Sequence, residues 1–191
     1  MNFMNLIDKA LEENMTERSF ILWNGIKKII PDIWEKASSS SKKYHKKENG
    51  DVPDIAEHTF EMIYAATKIF RMFDIQKKTS MADSVLFSLV LHDSLKYGKD
   101  GNKKHTISSH DQLAANMIKA NKNSFMKILN ENEYEMLEEA VRFHSGRWST
   151  DVNNSNNFDF KEYNPITLFC HTLDMMSTAD LIKIWKKDLE E

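Results

Sequence analysis

The chain contains little cysteine, glycine or proline, and it has no long apolar run. Its 191 residues include one cysteine, five glycines and three prolines. Because Cys170 is the single cysteine, no internal disulfide can form. No apolar stretch approaches the roughly 20 residues that span a bilayer, so we expect no membrane partner. The scarcity of glycine and proline leaves long segments free to be helical.

Charge and the first residues exclude further classes of protein. The formal net charge is −3, which argues against a nucleic-acid binder with a basic surface throughout. The first thirty residues lack the apolar block and cleavage site of a signal peptide, so we expect a cytoplasmic protein. A chain of this length can bury a full core as one domain, and its composition does not fix an oligomeric state.

Apolar residues recur at helical spacing along most of the chain, and no segment alternates as a strand would. The spacing predicts two short N-terminal helices, and longer helices over residues 54–73, 80–97, 109–122, 133–146 and 165–185. Ser108 and Asp111 have the spacing of a capping box, and Pro165 is typical of a first helical residue. We therefore predict an all-α fold.

The predicted helices fall into two groups that a polar segment separates. Residues 38–53 are rich in lysine and serine and contain glycine and proline, which predicts a basic flexible loop. We expect residues 1–37 to form N-terminal helices that pack on a core of residues 54–187. A second polar loop is predicted over residues 147–164.

Histidines occupy the apolar faces of several predicted helices. His58, His110 and His144 each lie on a stripe that faces the core. His171 and Asp174 are three residues apart on the last helix and therefore share one face. A lone buried histidine is usually bonded to a carbonyl oxygen. A whole set of buried imidazoles and carboxylates is better explained by a shared cation, because each unpaired group would cost about 1–3 kcal/mol.

The stretch SLVLHDSLKYGKD, residues 88–100, runs from apolar residues directly into His92 and Asp93. Neighbouring helical residues point about 100° apart, but near the end of a helix both side chains can converge on a cation held between helices. Lys96 is four residues from His92 and three from Asp93, hence on the same side. That position suits a contact to a phosphate oxygen.

The order and spacing of these residues resemble a known family. The series is His58, His92-Asp93, His110, His144 and His171-x-x-Asp174. It resembles the HD superfamily of metal-dependent phosphohydrolases, all-helical enzymes named for their His-Asp doublet. HDSLKYG is similar to the HD-x-x-K-x-G signature, and the later histidines resemble those of HD-domain 3'-to-5' exoribonucleases and HD-GYP phosphodiesterases. The resemblance covers about residues 54–182 and implies a single-domain HD helical bundle.

The resemblance also implies roles for individual residues. The implied ligands are His58, His92, Asp93 and Asp174 for a first metal, with Asp93 bridging to a second metal that His110 and His144 also bind. Lys96 would contact the phosphate. His171 is either a further ligand or a partner that orients Asp174. Asp54 is either an accessory ligand or an ordinary carboxylate at a helix N-terminus.

Three departures from the related families bear on substrate and metal. Ser145 stands where the extended families often have a second imidazole, so we expect a second metal that is weaker or differently coordinated. HSGRWST lacks the Gly-Tyr-Pro segment of the HD-GYP class, which counts against cyclic-di-GMP as substrate. The leading residues are too few and too helical for the OB domain of the exoribonucleases.

The chemistry of the ligands limits the cofactor. Imidazoles and carboxylates suit one or two divalent transition-metal ions, namely Mn²⁺, Fe²⁺, Zn²⁺, Co²⁺ or Ni²⁺. Such ions would activate a water and hold phosphate oxygens. Arg142 and Arg147, which flank His144, and the lysines of the basic loop can supply charge for a substrate. Trp148 can stack on a base or pack against the loop that follows it.

These features predict a phosphohydrolase that cleaves a phosphoester of a nucleotide or short nucleic acid by metal-activated water. Monoesters and diesters both fit. Two other classes stay open, a degenerate HD-fold binding module with a structural metal and a di-iron HD-fold oxygenase. Lys96 beside the His-Asp doublet argues against the binding module, because a scaffold needs no cation next to its metal ligands.

Overall fold

A computed structural model describes residues 2–39, 52–149, 162–182 and 184 of the chain. Its α-helices are α1 (Phe3–Asn14), α2 (Glu17–Ile26), α3 (Ile55–Met72), α4 (Ser80–Leu91), α5 (His110–Ala120), α6 (Lys122–Phe125), α7 (Glu131–Phe143) and α8 (Pro165–Thr178). Two short 3₁₀ helices cover Lys27–Ile29 and Gly146–Trp148. The described ranges contain no strand beyond one isolated bridge between Ser38 and Asp54. The all-α prediction is confirmed.

Helix α4 lies at the centre of the helical core. It packs against α3, α7 and α8, and α7 also packs against α5 and α8. Apart from Ser88, which is buried as well, its second half is apolar on every side, which is typical of a helix that neighbours surround completely. The side chains buried there are Leu86, Phe87, Leu89, Val90 and Leu91. None of the described helices combines the length and apolar character needed to span a membrane.

A buried carboxylate joins the N-terminal helices to this core. Asp83 of α4 accepts hydrogen bonds from the backbone N–H of Thr16 at 2.9 Å, from the Thr16 hydroxyl at 2.6 Å and from the Ser19 hydroxyl at 2.6 Å. Helix α1 packs along α3 and also contacts α2 and α4. A buried charge with three donors is well compensated, so this contact fixes where α2 begins.

The segment before α3 positions the first turn of that helix. The backbone N–H groups of Ile55 and Ala56 donate to the carbonyl oxygens of Ala37 and Trp34, at 3.0 and 3.1 Å. They belong to the donors that a helix N-terminus leaves without a partner inside the helix. Residues 40–51 of the predicted basic loop, with its four lysines, lie outside the described residues.

The N-terminal caps of helices α5 and α7 differ from the sequence prediction. Helix α5 begins at His110, so Ser109 and not the predicted Ser108 stands at the N-cap position, and the Ser109 side chain makes no capping hydrogen bond. A capping box does occur at α7, where Asn130 and Glu133 bond each other's backbone N–H groups. Asparagine caps helices as well as serine does, and the sequence prediction overlooked it.

The last helix is shorter than predicted. Helix α8 ends at Thr178 instead of continuing to residue 185. Asp180 takes a left-handed conformation with φ 54°. The N–H groups of Asp180 and Leu181 donate to the carbonyl oxygens of Ser177 and Met176. This Schellman motif usually needs glycine, and an aspartate in that place gave no clear stop signal.

Candidate metal centre

Four side chains from three parts of the chain form the first group of metal-binding atoms. His58 Nε2 of α3 lies 3.2 Å from His92 Nε2 and 3.2 Å from Asp174 Oδ1 of α8. His92 Nε2 lies 3.5 Å from Asp93 Oδ2. His58 and His92 are fully buried and Asp93 almost so. Imidazole nitrogens and carboxylate oxygens thus converge on one small volume.

A second group shares Asp93 with the first. Asp93 Oδ1 lies 3.0 Å from His110 Nε2 and 3.5 Å from His144 Nε2. The two imidazole nitrogens are 3.3 Å apart. Because Oδ2 faces the first group and Oδ1 the second, the Asp93 carboxylate stands between them. The structure therefore brings together all six residues for which the resemblance implies metal binding.

A change in helical geometry lets His92 and Asp93 reach the same centre. We predicted a regular helix to residue 97, but α4 ends at Leu91. The chain then continues in tighter turns, with hydrogen bonds from Ser94 to Leu91 and from Lys96 to Asp93, both at 3.1 Å. In such turns residues three apart lie above one another. This stacks Lys96 on Asp93, and the two side chains form an ion pair.

The turns end at the glycine of the HD-x-x-K-x-G signature. Gly98 has φ 85°, a conformation that other residues rarely adopt. A side chain there would also press on Ile107, since its Cβ would lie 3.1 Å from the Ile107 Cδ1 atom. The glycine therefore lets the chain turn away directly after Lys96.

Backbone carbonyl groups fix the orientation of three imidazoles. The Nδ1 atoms of His92, His110 and His144 lie 2.7, 2.8 and 2.8 Å from the carbonyl oxygens of Leu89, Ile107 and Val141. Each ring has the same relation to the residue three positions before it. Nδ1 must carry the proton to donate to these oxygens, so Nε2 keeps its lone pair for a metal.

The fourth imidazole is oriented by a serine and a glutamate that the sequence prediction missed. His58 Nδ1–H donates to the Ser177 hydroxyl at 2.8 Å, and that hydroxyl donates to Glu61 Oε2 at 2.6 Å. Both Ser177 and Glu61 are buried. Their spacing was a usable signal, because Glu61 follows His58 by three residues and Ser177 follows Asp174 by three, hence on the same helix faces.

Ser177→Ala is expected to weaken binding of the first metal ion about 10–100-fold, as is typical when the partner of a ligating histidine is removed. The change takes away the acceptor that Ser177 offers His58 and the donor that it offers Glu61. Calorimetric titration with Mn²⁺ measures the effect. Thr172→Ala is the matched control, since that exposed hydroxyl of α8 donates to the Leu168 carbonyl oxygen of its own helix. Equal affinity of Ser177→Ala and the unmodified protein would contradict this role.

The arrangement of lone pairs and charges fits a metal ion. Asp93 Oδ1 is buried and receives no hydrogen bond within the described part of the chain. It faces the Nε2 atoms of His110 and His144, and His58 and His92 likewise direct Nε2 atoms at each other. Lone pairs and negative charge at these distances repel one another unless a cation stands between them. The described residues thus supply a complete site for a divalent ion.

The pKa values of the site agree with this. Burial lowers the pKa of His92 to about 3, so its imidazole is neutral and free to ligate. Burial alone would raise the pKa of Asp93, but the charge of Lys96 and the imidazoles of His92, His110 and His144 together outweigh burial and hold that pKa well below its usual range. Burial would lower the pKa of His144, yet neighbouring Asp93 raises it. Asp93 therefore stabilises positive charge beside His144, whether a proton or a bound metal ion supplies that charge.

His92 is expected to make the metal-free protein less stable as the pH falls below about 6.5. The unfolded chain then binds a proton at His92, whereas the folded chain, with a His92 pKa of about 3, does not. The free energy of unfolding should fall by up to about 1.4 kcal/mol per pH unit from this group alone. Urea unfolding in EDTA between pH 5 and 7 measures the slope. His92→Gln should flatten it, and an unchanged slope in that variant would overturn the assignment.

The other predicted site residues lie around the centre in different ways. Arg142 binds Glu138 on its own helix, with its Nε and Nη2 atoms 2.8 and 2.6 Å from Oε1. Arg147 stacks on the exposed Trp148 ring, 4.5 Å from its centroid. Arg142 is thus paired with the Glu138 carboxylate, whereas Arg147 and Trp148 lie on the surface.

His171 and Asp54 have structural partners. His171 Nδ1–H donates to the carbonyl oxygen of His144 at 2.6 Å, which ties α8 to the turn that carries that ligand. Asp54 is the N-cap of α3 and accepts a hydrogen bond from the Glu57 N–H at 2.7 Å. Of the two roles considered for Asp54, the structure shows the helix cap.

Ser145 faces the second group of ligands. Its hydroxyl lies 3.1 Å from His144 Nε2, and because His144 Nδ1 holds the proton, the serine is the donor. The hydroxyl hydrogen of Ser145 can rotate away from His144 Nε2, which leaves the lone pair of that nitrogen available to a metal ion. The second group thus has two imidazoles and a shared carboxylate, while the first has two imidazoles and two carboxylates.

Comparison with known proteins identifies one match. The HD domain family matches residues 55–182, well over half of the chain. The matched range begins with α3 and ends beyond α8, so it includes every residue of the two ligand groups. No curated protein and no solved structure matches the chain.

Proposed function

Because the chain belongs to the HD domain family, a superfamily of metal-dependent phosphohydrolases, we propose that it hydrolyses a phosphoester of a nucleotide or short nucleic acid. One observation carries the proposal. Four Nε2 lone pairs and two carboxylates converge at distances of 3.0–4.0 Å, with Asp93 shared between the two groups. A divalent ion bound there would polarise a water and neutralise phosphate oxygens.

The protein's own groups would perform the remaining work. His58, His92 and Asp174 would hold the first ion and His110 and His144 the second, and Asp93 would contribute to both sites. The Lys96 ammonium, whose side chain is 14% exposed, can leave part of its contact with Asp93 and donate to a phosphate oxygen. A partly exposed cation beside buried ligands is placed to orient a substrate and to balance its charge.

The nucleotide proposal draws support from the Arg147–Trp148 pair. The pair follows the His144 turn directly, and the Trp148 ring is 55% exposed. An exposed ring beside a guanidinium suits stacking on a base while the phosphate lies toward the metals. Trp148→Ala should therefore weaken hydrolysis of a nucleotide more than that of a small phosphoester that lacks a base.

Metal-dependent turnover tests the proposed function. The protein is purified with Mn²⁺, and nitrophenol release is measured from bis-p-nitrophenyl phosphate and from p-nitrophenyl phosphate. We expect hydrolysis that EDTA abolishes and added Mn²⁺ restores, and the faster substrate indicates diesters or monoesters. Calorimetric titration with Mn²⁺ after the bound metal has been removed with EDTA should show two binding steps of unequal affinity, because the first ligand group has one more carboxylate.

Two outcomes would contradict the proposal. Full metal occupancy without hydrolysis of any phosphoester, nucleotides included, would favour the binding module. An optical band that depends on iron, together with oxygen consumption, would favour the oxygenase.

A further inference from the structure

The turn between α3 and α4 exposes several large apolar side chains. We call residues 71–81 the α3–α4 turn. Within it Met72 and Phe73 are 77% and 71% exposed, and Ile75 and Met81 are 43% and 44% exposed. Single exposed apolar residues are ordinary, but several in one short segment are typical of an interaction site.

The backbone of the turn holds these side chains outward. Asp74 and Lys78 take left-handed conformations with φ 53° and 55°, which side-chain-bearing residues adopt at a cost. The Lys78 N–H donates to the carbonyl oxygen of Asn14 at 3.0 Å, which anchors the turn to the end of α1. The backbone of the folded turn therefore keeps Met72 and Phe73 exposed.

Basic side chains accompany the apolar ones. Arg71, Lys77 and Lys78 form no ion pair within the described residues, and Asp74 is the one exposed carboxylate of the turn. Three cations and one carboxylate give the turn a charge of +2, whereas the whole chain carries −3. The positive charge is thus local and lies beside the exposed apolar groups.

We propose that the α3–α4 turn docks the protein onto an anionic lipid surface. Met72 and Phe73 would insert among the headgroups, and Arg71, Lys77 and Lys78 would pair with anionic lipid phosphates. Side chains that are more than 70% exposed protrude from the protein, which suits insertion. A second copy of the chain on the same turn would bring like charges together. The proposal revises the expectation that no membrane takes part, which considered only spanning segments.

The docking surface is far from the metal centre. Met72 and His58 stand at opposite ends of α3, 14 residues apart, which corresponds to about 21 Å along the helix axis. Helix α4 repeats this arrangement, with Met81 near its start and His92 just beyond its end. Docking would therefore leave the ligand groups open to substrate, and the proposal does not depend on what the metal centre hydrolyses.

Vesicle sedimentation tests the proposal. The protein is mixed with vesicles of phosphatidylcholine alone or with about 30% phosphatidylglycerol. We expect sedimentation with the anionic vesicles only, and release when salt is raised to about 0.5 M. Met72→Ser/Phe73→Ser should weaken binding at least about tenfold. Ile29→Ser, which changes a side chain 54% exposed elsewhere on the surface, should leave it unchanged.

A fluorescent variant keeps the test decisive if the double variant folds poorly. Phe73→Trp should shift its emission to the blue with anionic vesicles and be quenched by brominated lipids. Failure of the unmodified protein to sediment with anionic vesicles would overturn the proposal. Equal binding by a correctly folded double variant would overturn it as well. If the unmodified protein forms a dimer that the double variant does not form, and neither binds vesicles, the turn is a protein interface instead.

Discussion

Asp93→Asn should abolish metal-dependent hydrolysis, with a loss of roughly 1,000-fold or more, because bound metal contributes several kcal/mol of charge stabilisation. Among the residues that the structure describes, Asp93 is the side chain shared by both ligand groups, with Oδ2 toward His92 and Oδ1 toward His110. Asparagine keeps the shape but removes the charge that balances two cations. Metal analysis of the purified variant should therefore show both ions lost, together with the activity.

The matched control for this substitution is Asp100→Asn. Asp100 is exposed, lies in the loop after the same signature and belongs to neither ligand group. Its activity and metal content should equal those of the unmodified protein. If Asp93→Asn keeps two bound ions, or keeps activity within tenfold, the shared position of its carboxylate does not have the role given to it here.

Gly146→Ala should produce the largest loss of stability, about 3 kcal/mol in the free energy of unfolding. Gly146 has φ 58°, and a Cβ atom there would lie 2.6 Å from His171 Cε1. His171 cannot move away freely, since its Nδ1–H is bonded to the His144 carbonyl oxygen at 2.6 Å. The strain should also displace the turn that carries His144, so the substitution should weaken binding of the second metal more than binding of the first.

Urea unfolding and calorimetry measure the two effects of Gly146→Ala. Gly25→Ala is the control, because a Cβ atom at that helical position of α2 meets nothing within 4 Å. That variant should gain about 0.5–1 kcal/mol from helix propensity. A Gly146→Ala protein as stable as the unmodified one would show that the close packing of the turn on His171 carries no strain.

The order of the histidines and aspartates in the sequence predicted the metal-binding residues but not the contacts that orient their side chains. His58, His110 and His144 stand on helix faces whose periodicity is visible in the sequence, so their convergence could be expected once the fold was all-α. The contacts that orient them could not. Three imidazoles use carbonyl oxygens, which every residue has, and the fourth uses Ser177. Only the spacing of Ser177 from Asp174 pointed to it.

Helix ends were the least predictable part of the fold. The apolar pattern continues past Leu91, and nothing in residues 92–97 signals that hydrogen bonding changes to shorter turns. Asp180 likewise closes α8 in a place where glycine is the usual signal. Arg142 shows the same limit for side chains, because its distance in sequence from His144 does not reveal that Glu138, one turn before it, binds it.

The chain between Ser39 and Pro53 can change in length, because hydrogen bonds join these two residues at its ends. The N–H and hydroxyl of Ser39 both donate to the Pro53 carbonyl oxygen at 3.0 Å, so the chain leaves and re-enters the core at one point. Closing a longer loop costs little, about 0.6 kcal/mol for each doubling of its length. Relatives could therefore carry inserts of very different size between these two residues, and a reporter sequence could be placed there without moving His58.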